Sequence, residues 1–269
     1  MKLRFTALSL FLFWCCSVAY AQNVKFEITT NLGTLKGFLY DDVPNHTKTF
    51  IKNAQEGAYN NTLFTRVIPG FMIQGGAADS RGAAPGVRVG AGDRSKEIMP
   101  ESSKQHFYKK GALAAPRQEK FINPQNKSDM SQFFIIQGKV YTAGKLDTLE
   151  LANNNPIKKK ALQQLYAPIK EEMEKLKKED PKAYNAKAKA INAAMDSILM
   201  ASPKKLFFTN EQRESYTTIG GLPTWNEDYT IYGEITEGLE HIDQIADQPK
   251  DKFDRPKKDM KIIKVTIIK

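Results

Sequence analysis

Cysteine is nearly absent from this 269-residue chain, with two adjacent residues at positions 15 and 16 and none after them. Beyond residue 16, therefore, no disulfide, thiolate zinc site or cysteine nucleophile can be built. Histidine is almost as sparse. His46, His106 and His241 stand far apart, without the spacing that sets two ligands on one metal, so no metal site is expected. The glycines do not make a phosphate loop either. Gly75-Gly76 and the run from Gly90 to Gly92 lack the Walker arrangement, and turns account for both. No segment of 20–50 residues repeats. The apolar run from Phe5 to Val18 is too short to span a membrane, which takes about 20 residues.

That run has Lys2 and Arg4 before it and Ala19-Tyr20-Ala21 after it. A basic start, an apolar middle and a small-x-small end are the marks of a secretory signal peptide. Residues 1–21 are expected to be removed, which leaves residues 22–269 as an exported chain, periplasmic or extracellular. The formal charge of +10 is unevenly spread: between Pro156 and Lys205 there are 12 Lys and 6 acidic residues. With the excess gathered in one segment, the rest of the chain does not look like a nucleic-acid binder, and no such partner is expected. The Lys-rich segment reads first as a solvated helical face, and second as a surface that docks a protein partner.

Alternation of apolar residues predicts a hairpin, with Val24, Phe26 and Ile28 on one arm and Leu35, Gly37 and Leu39 on the other. A helix is predicted from Pro44 to Glu56, opened by proline and closed by Gly57. Strands are expected at Leu63–Ile68, Phe71–Gln74, Gly111–Ala115, Gln132–Gln137 and Tyr229–Ile235. Residues 77–92 and 116–131 read as loops. A helix follows around Leu239, Ile242 and Ile245. The last strand alternates through Ile263, Val265 and Ile267. From about 145 to 217 the period changes to three and four. Leu162, Leu165, Ile169, Met173 and Leu176, then Ile191, Met195, Ile198 and Leu199, describe a helical hairpin, with Pro168 able to bend its first arm. Thr209 and Gln212 have capping-box spacing for a further short helix. Many short strands with segregated helices indicate a mainly β, antiparallel fold interrupted by a helical insertion.

The most informative stretch runs from Phe64 to Gly76. It gathers Arg66, Phe71, Met72 and Gln74 around a Pro-Gly turn. A second is Ser131-Gln132-Phe133-Phe134-Ile135-Ile136. On a strand, Gln132 and Phe134 share one face while Phe133 and Ile135 share the other. Apolar residues on both faces imply a core on one side and a covered or ligand-binding surface on the other. These stretches, together with Gly111-Ala-Leu-Ala-Ala-Pro-Arg117 and Tyr229-Thr-Ile-Tyr-Gly-Glu234, resemble the cyclophilin family of peptidyl-prolyl cis–trans isomerases. The resemblance covers about 24–140 and 220–269. It implies a closed eight-stranded antiparallel barrel capped by two helices, with the active site on the outer wall.

Carried over residue by residue, the resemblance implies that Arg66 is the catalytic arginine and that Gln74 belongs to the catalytic set with it, bonding the substrate backbone or orienting Arg66. Phe71, Met72 and Phe134 would line a proline pocket. Gln132 would bond the substrate backbone or orient Arg66. Ala115, Pro116 and Arg117 would form a backbone ledge beside the substrate, with Trp225 and Tyr229 at the pocket or its rim. Thr65, Ala77, Pro116 and Thr224 depart from the family's usual residues at their positions. The implied reaction needs no covalent chemistry, and so no metal or other cofactor is expected. Resonance resists rotation about a peptide bond by about 18–20 kcal/mol, and an enzyme must bind the twisted amide better than the planar one. A rigid, always-charged guanidinium suits the prolyl nitrogen as it regains its lone pair. Unfolded or partly folded proteins with X-Pro bonds would be the partners. The alternative is a proline-recognising binding module or holdase with little turnover.

Overall fold

The computed structural model describes residues 23–103, 105–225 and 229–268, so the expected signal peptide lies outside the described residues. The hairpin forms as β1 (Lys25–Thr30) and β2 (Thr34–Leu39), and α1 (Pro44–Gln55) follows. Next come β3 (Thr62–Ile68) and β4 (Met72–Gly75), the short β5 (Glu97–Ile98), β6 (Ala112–Ala114), the short β7 (Ser128–Asp129) and β8 (Phe133–Ile136). The helical region holds α2 (Ala143–Tyr166), α3 (Lys170–Glu179), α4 (Pro181–Ala201) and α5 (Asn210–Thr218). The chain ends with β9 (Ile231–Glu237), α6 (Leu239–Ala246) and β10 (Lys261–Ile268).

Eight strands close an antiparallel barrel in the order β1-β10-β3-β4-β8-β6-β9-β2, and β2 pairs back onto β1. β5 and β7 form a separate two-stranded sheet. The interior is filled by alternate residues of the strands: Phe26, Ile28, Leu35, Leu39, Val67, Ile73, Leu113, Phe133 and Ile135. Helix α1 contributes His46, Phe50, Asn53 and Ala54 from one face, the i, i+4, i+7, i+8 stripe of an amphipathic helix. Phe50 sits among aromatic rings, with Phe26, Tyr59 and Tyr232 each 5.4 Å away between centroids. Helix α6 contributes Ile242, Ile245 and Ala246.

β8 shows why both of its faces are apolar. Phe133 and Ile135 point into the barrel, whereas Phe134 and Ile136 join Met72, Ala112, Ala114 and Ile231 in a second cluster on the outer wall. The final strand differs from the expected alternation. Ile262 and Val265 are buried while Ile263 is exposed. The ladder with β1 slips between Thr29 and Thr30, which pair with Lys264 and Ile262, so Ile263 is the extra residue of a bulge and the inward phase shifts there.

The helical insertion is divided more finely than the apolar spacing suggests. Thr142 caps α2, which begins at Ala143 and runs through Pro156. A 3-10 turn at Ala167–Ile169, containing Pro168, separates it from α3, and Asp180 then caps α4 through the N–H groups of Lys182 and Ala183. Thr209 and Gln212 make the reciprocal capping box of α5. Chain entry and exit meet at a neck, where Lys139 and Gly221 exchange backbone bonds of 3.1 and 3.0 Å. A side chain at Gly221 would meet the carbonyl oxygen of Tyr108 at 2.4 Å, so the close approach itself requires glycine. Leu146, Phe208 and Tyr216 form a small core there with Phe107 and Tyr141 partly covering it. Among the described residues no helix is long and apolar enough to cross a membrane.

Candidate active site

The site grows out of strand register. Arg66 on β3 pairs with Gln74 on β4, and Gln74 pairs with Phe134 on β8. Residues directly opposed across strands share a face, so guanidinium, amide and phenyl ring form a row on the outer wall. Ala114 on β6 continues it and leaves room above, because it has no bulk beyond Cβ. One rung away, Ile68 pairs with Met72 and Met72 with Ile136. The intervening turn carries Phe71 and is fixed by Phe71 N–H donating to Ile68 O at 3.0 Å, and by Gly70 N–H donating to Gln137 Oε1 at 2.6 Å.

A cavity of about 210 Å3 opens over this row. Ten of the residues expected from the sequence line it: Arg66, Phe71, Met72, Gln74, Pro116, Arg117, Gln132, Phe134, Trp225 and Tyr229. Its apolar floor and wall are aromatic. Trp225 stands edge-on to Phe71 at 4.9 Å and stacks with Tyr229 at 5.1 Å, and Tyr229 meets Phe134 edge-on at 5.4 Å. The Arg117 guanidinium lies 4.6 Å over the Tyr229 ring. Tyr108 fixes the backbone of Tyr229 through its hydroxyl, which donates to the carbonyl and accepts from the N–H, both at 3.2 Å.

The polar side is a relay. Gln74 Nε2 donates to Gln132 Oε1 at 3.1 Å, and Gln132 Nε2 donates to Asp129 Oδ2 at 3.0 Å. Asp129 also accepts from the N–H and hydroxyl of Ser131 at 2.9 and 2.6 Å. An ionised carboxylate only accepts, so it fixes which end of the Gln132 amide faces it, and Gln132 in turn fixes Gln74. The loop at residues 90–92 comes down on this relay. A Cβ on Gly92 would lie 2.1 Å from Asp129 Oδ2, which explains the glycine. Arg66 itself is exposed, and Asp254 Oδ2 lies 3.6 Å from its Nε, a long, solvent-exposed contact.

The side chain of Ala115 does not line the cavity. Side chains alternate along β6, so Ala112 and Ala114 face outward while Leu113 and Ala115 face the barrel core. Its N–H is committed to Thr230 O at 3.1 Å. Gln118 takes a place on the rim instead, with Gly90 and Asp129 also lining the site. Sequence reasoning missed these three. Asp129 alone left a signal, since Asp two residues before Ser is an Asx-turn pattern. Among the described residues no cluster of His, Cys, Asp and Glu could hold a metal ion.

A family model, cyclophilin type peptidyl-prolyl cis-trans isomerase/CLD, matches residues 25–149 and 136–267. A relative from Staphylococcus saprophyticus, also named for peptidyl-prolyl isomerisation, is 24% identical over 248 residues, covering 92% of this chain and 93% of that protein. Peptidyl-prolyl cis-trans isomerase B of Escherichia coli is 37% identical over 107 residues, 39% of this chain and 58% of that one. The crystal structure of a cyclophilin type isomerase from Cryptosporidium parvum superposes with a TM-score of 0.52 at 18% identity, covering 92% of this chain and 99% of that one. At that identity the likeness speaks to the fold alone.

Proposed function

The chain belongs to the cyclophilin-type peptidyl-prolyl cis–trans isomerases, and we propose that it speeds X-Pro rotation in client proteins by stabilising the twisted amide with Arg66. The observation that carries this reading is the row Arg66–Gln74–Phe134, which sets an exposed guanidinium beside an aromatic cavity of about 210 Å3. The proline ring enters among Phe71, Met72, Phe134, Trp225 and Tyr229. The preceding carbonyl turns while the ring stays fixed. As the amide twists, its nitrogen regains a lone pair, and Arg66 donates to it. Gln74, oriented by Gln132 and Asp129, is positioned to bond the substrate backbone. No bond is made or broken, so the rate gain comes from tighter binding of the twisted state.

Export is part of the same proposal, and it rests on the basic, apolar and small-residue pattern of residues 1–21. Clients would then be proteins folding outside the cytoplasm. The N-terminal residue of the protein recovered after secretion tests this, with Gln22 the expected start.

The test of the activity is NMR exchange or protease-coupled turnover on an Ala-Pro-Phe peptide. Exchange well above the spontaneous rate supports the isomerase. A folded protein that binds the peptide and leaves its exchange at the spontaneous rate would be a proline-binding module or holdase instead.

A further inference from the structure

Beside the proline site lies a larger cleft of about 1050 Å3. One wall belongs to the barrel and includes Phe107, Leu222 and Pro223; the other is the segment from Pro203 to Phe208 by which the chain leaves α4. The two depressions adjoin. Trp225 and Tyr229 line both, so their stacked rings form the ridge between them. Arg117 in the smaller one donates at 3.0 Å to Asn126 in the larger. The smaller volume is that of a subsite for one ring, whereas the larger is at the top of the range for ligand pockets, about 300–1,000 Å3.

The insertion wall is built, not frayed. Asn154 of α2 clamps Leu206 on both sides, donating to its carbonyl at 2.8 Å and accepting from its N–H at 2.9 Å. Asn153 donates to Lys204 O at 2.7 Å, and Glu150 accepts from Phe208 N–H at 2.7 Å. Phe208 is buried against Tyr216, whereas its neighbour Phe207 is 49% exposed and lines the cleft. Lys204 and Lys205 are exposed beside it, at the end of the Lys-rich segment.

We propose that this cleft is a second client subsite, made jointly by barrel and insertion, for the extended stretch of the same polypeptide that flanks the proline. Its chemistry selects an apolar or aromatic side chain against Phe207 with acidic residues facing Lys204 and Lys205. The inference rests on the isomerase reading of the adjoining site, because the aromatic ridge is what makes the two surfaces continuous. It gives the insertion a role that a catalytic barrel by itself lacks, which is holding the client while its X-Pro bond turns.

The test compares a short Ala-Pro-Phe peptide with two longer ones, extended by a Glu-Phe-Glu segment on the amino or the carboxyl side. Affinity is read by fluorescence anisotropy and isomerisation by NMR exchange, with the full chain. One of the extensions is expected to tighten binding about tenfold, as a buried aromatic anchor does. That ratio should fall towards one in Phe207→Ser and in the double variant Lys204→Glu, Lys205→Glu. The proposal is overturned if neither extension tightens binding, or if the gain survives in both variants. Should no peptide be isomerised while the Phe207-dependent gain persists, the subsite stands and the catalytic reading of the neighbouring site fails.

Discussion

Replacing Arg66 with alanine tests its proposed catalytic role apart from folding, because the side chain lies on the outer wall. Its side chain is 47% exposed, and its ion pair with Asp254 is long at 3.6 Å. Such exposed pairs contribute at most about 1 kcal/mol, and a cross-strand neighbour such as Gln74 adds no more than about 1 kcal/mol. Stability should therefore fall by about 2 kcal/mol or less, a Tm change of at most about 4–8 °C for a chain of this size. The reaction should lose far more. Removing one preorganised donor from a developing charge costs about 3–4 kcal/mol, a hundred- to thousandfold in rate. The assay is kcat/KM on an Ala-Pro-Phe peptide, with thermal unfolding measured on the same samples. Arg66→Lys sharpens the test. It keeps the charge but loses the rigid fork, and it should recover no more than about a tenth of the wild-type rate. A fall of less than about fivefold in Arg66→Ala, with the protein folded, would refute the assignment of the guanidinium to the twisted amide.

Asp129→Asn replaces an obligate acceptor with an amide that can face Gln132 either way. We expect kcat to fall about tenfold with KM little changed, and Asp129→Glu to restore part of the loss; a pure folding defect would move Tm instead. His46 is buried with its Nδ1–H donating to Glu101 at 2.6 Å, while its Nε2 has no partner among the described residues. Burial holds its pKa below the ordinary 6.5, against the raising influence of Glu101. The unfolded state then binds the proton more readily, so stability should be flat at neutral pH and fall as pH drops through 6.5. Burial would raise Glu101, but the bonds from the His46 ring and from the His46 and Asn45 backbones outweigh it and hold it below 4.5, which adds a further loss at lower pH. Unfolding titrations on the protein and on His46→Gln check this, with the first step missing in the variant. Gly221→Ala would put a Cβ 2.4 Å from Tyr108 O at the neck; Tm should fall and KM for the proline peptide should rise together, since Tyr108 also fixes Tyr229.

The strands and end helices were legible because each carries its own period. Phe26 and Ile28 face inward by twos, and Phe50 and Ala54 by fours. Pro44 and Gly57 mark where the first helix can begin and end. The bulge at Ile263 was not legible. It belongs to the pairing of β10 with β1, and nothing in Ile-Ile-Lys-Val says where the partner slips. Which alanine of β6 turns its side chain outward was hidden for a related reason. Whether Ala114 or Ala115 faces the site depends on strand phase, and two alanines in a row carry no hydrophobic contrast to set it. Trp225 and Tyr229 were legible as aromatics near the pocket but not as a stacked ridge, which depends on how the chain returns from the insertion.

The position of the insertion in the chain has a physical consequence for the site. Phe71 O accepts from the N–H groups of Gln137 and Gly138, at 3.0 and 3.1 Å, and the next residue, Lys139, makes the neck with Gly221. On the returning side Leu222 N–H donates to Tyr108 O at 2.8 Å, and three residues later Trp225 lies edge-on to Phe71. Both ends of the neck are therefore bonded into the walls of the proline cavity. A helical segment attached through a flexible linker could collect clients without being felt by the catalytic wall. This one is joined through short backbone bonds to the residues that shape the pocket, so occupation of its cleft and the geometry of Phe71 and Trp225 share the same few contacts. If the cleft holds a client as proposed, coupling between that grip and turnover would be a matter of packing over two or three residues, with no long-range relay needed.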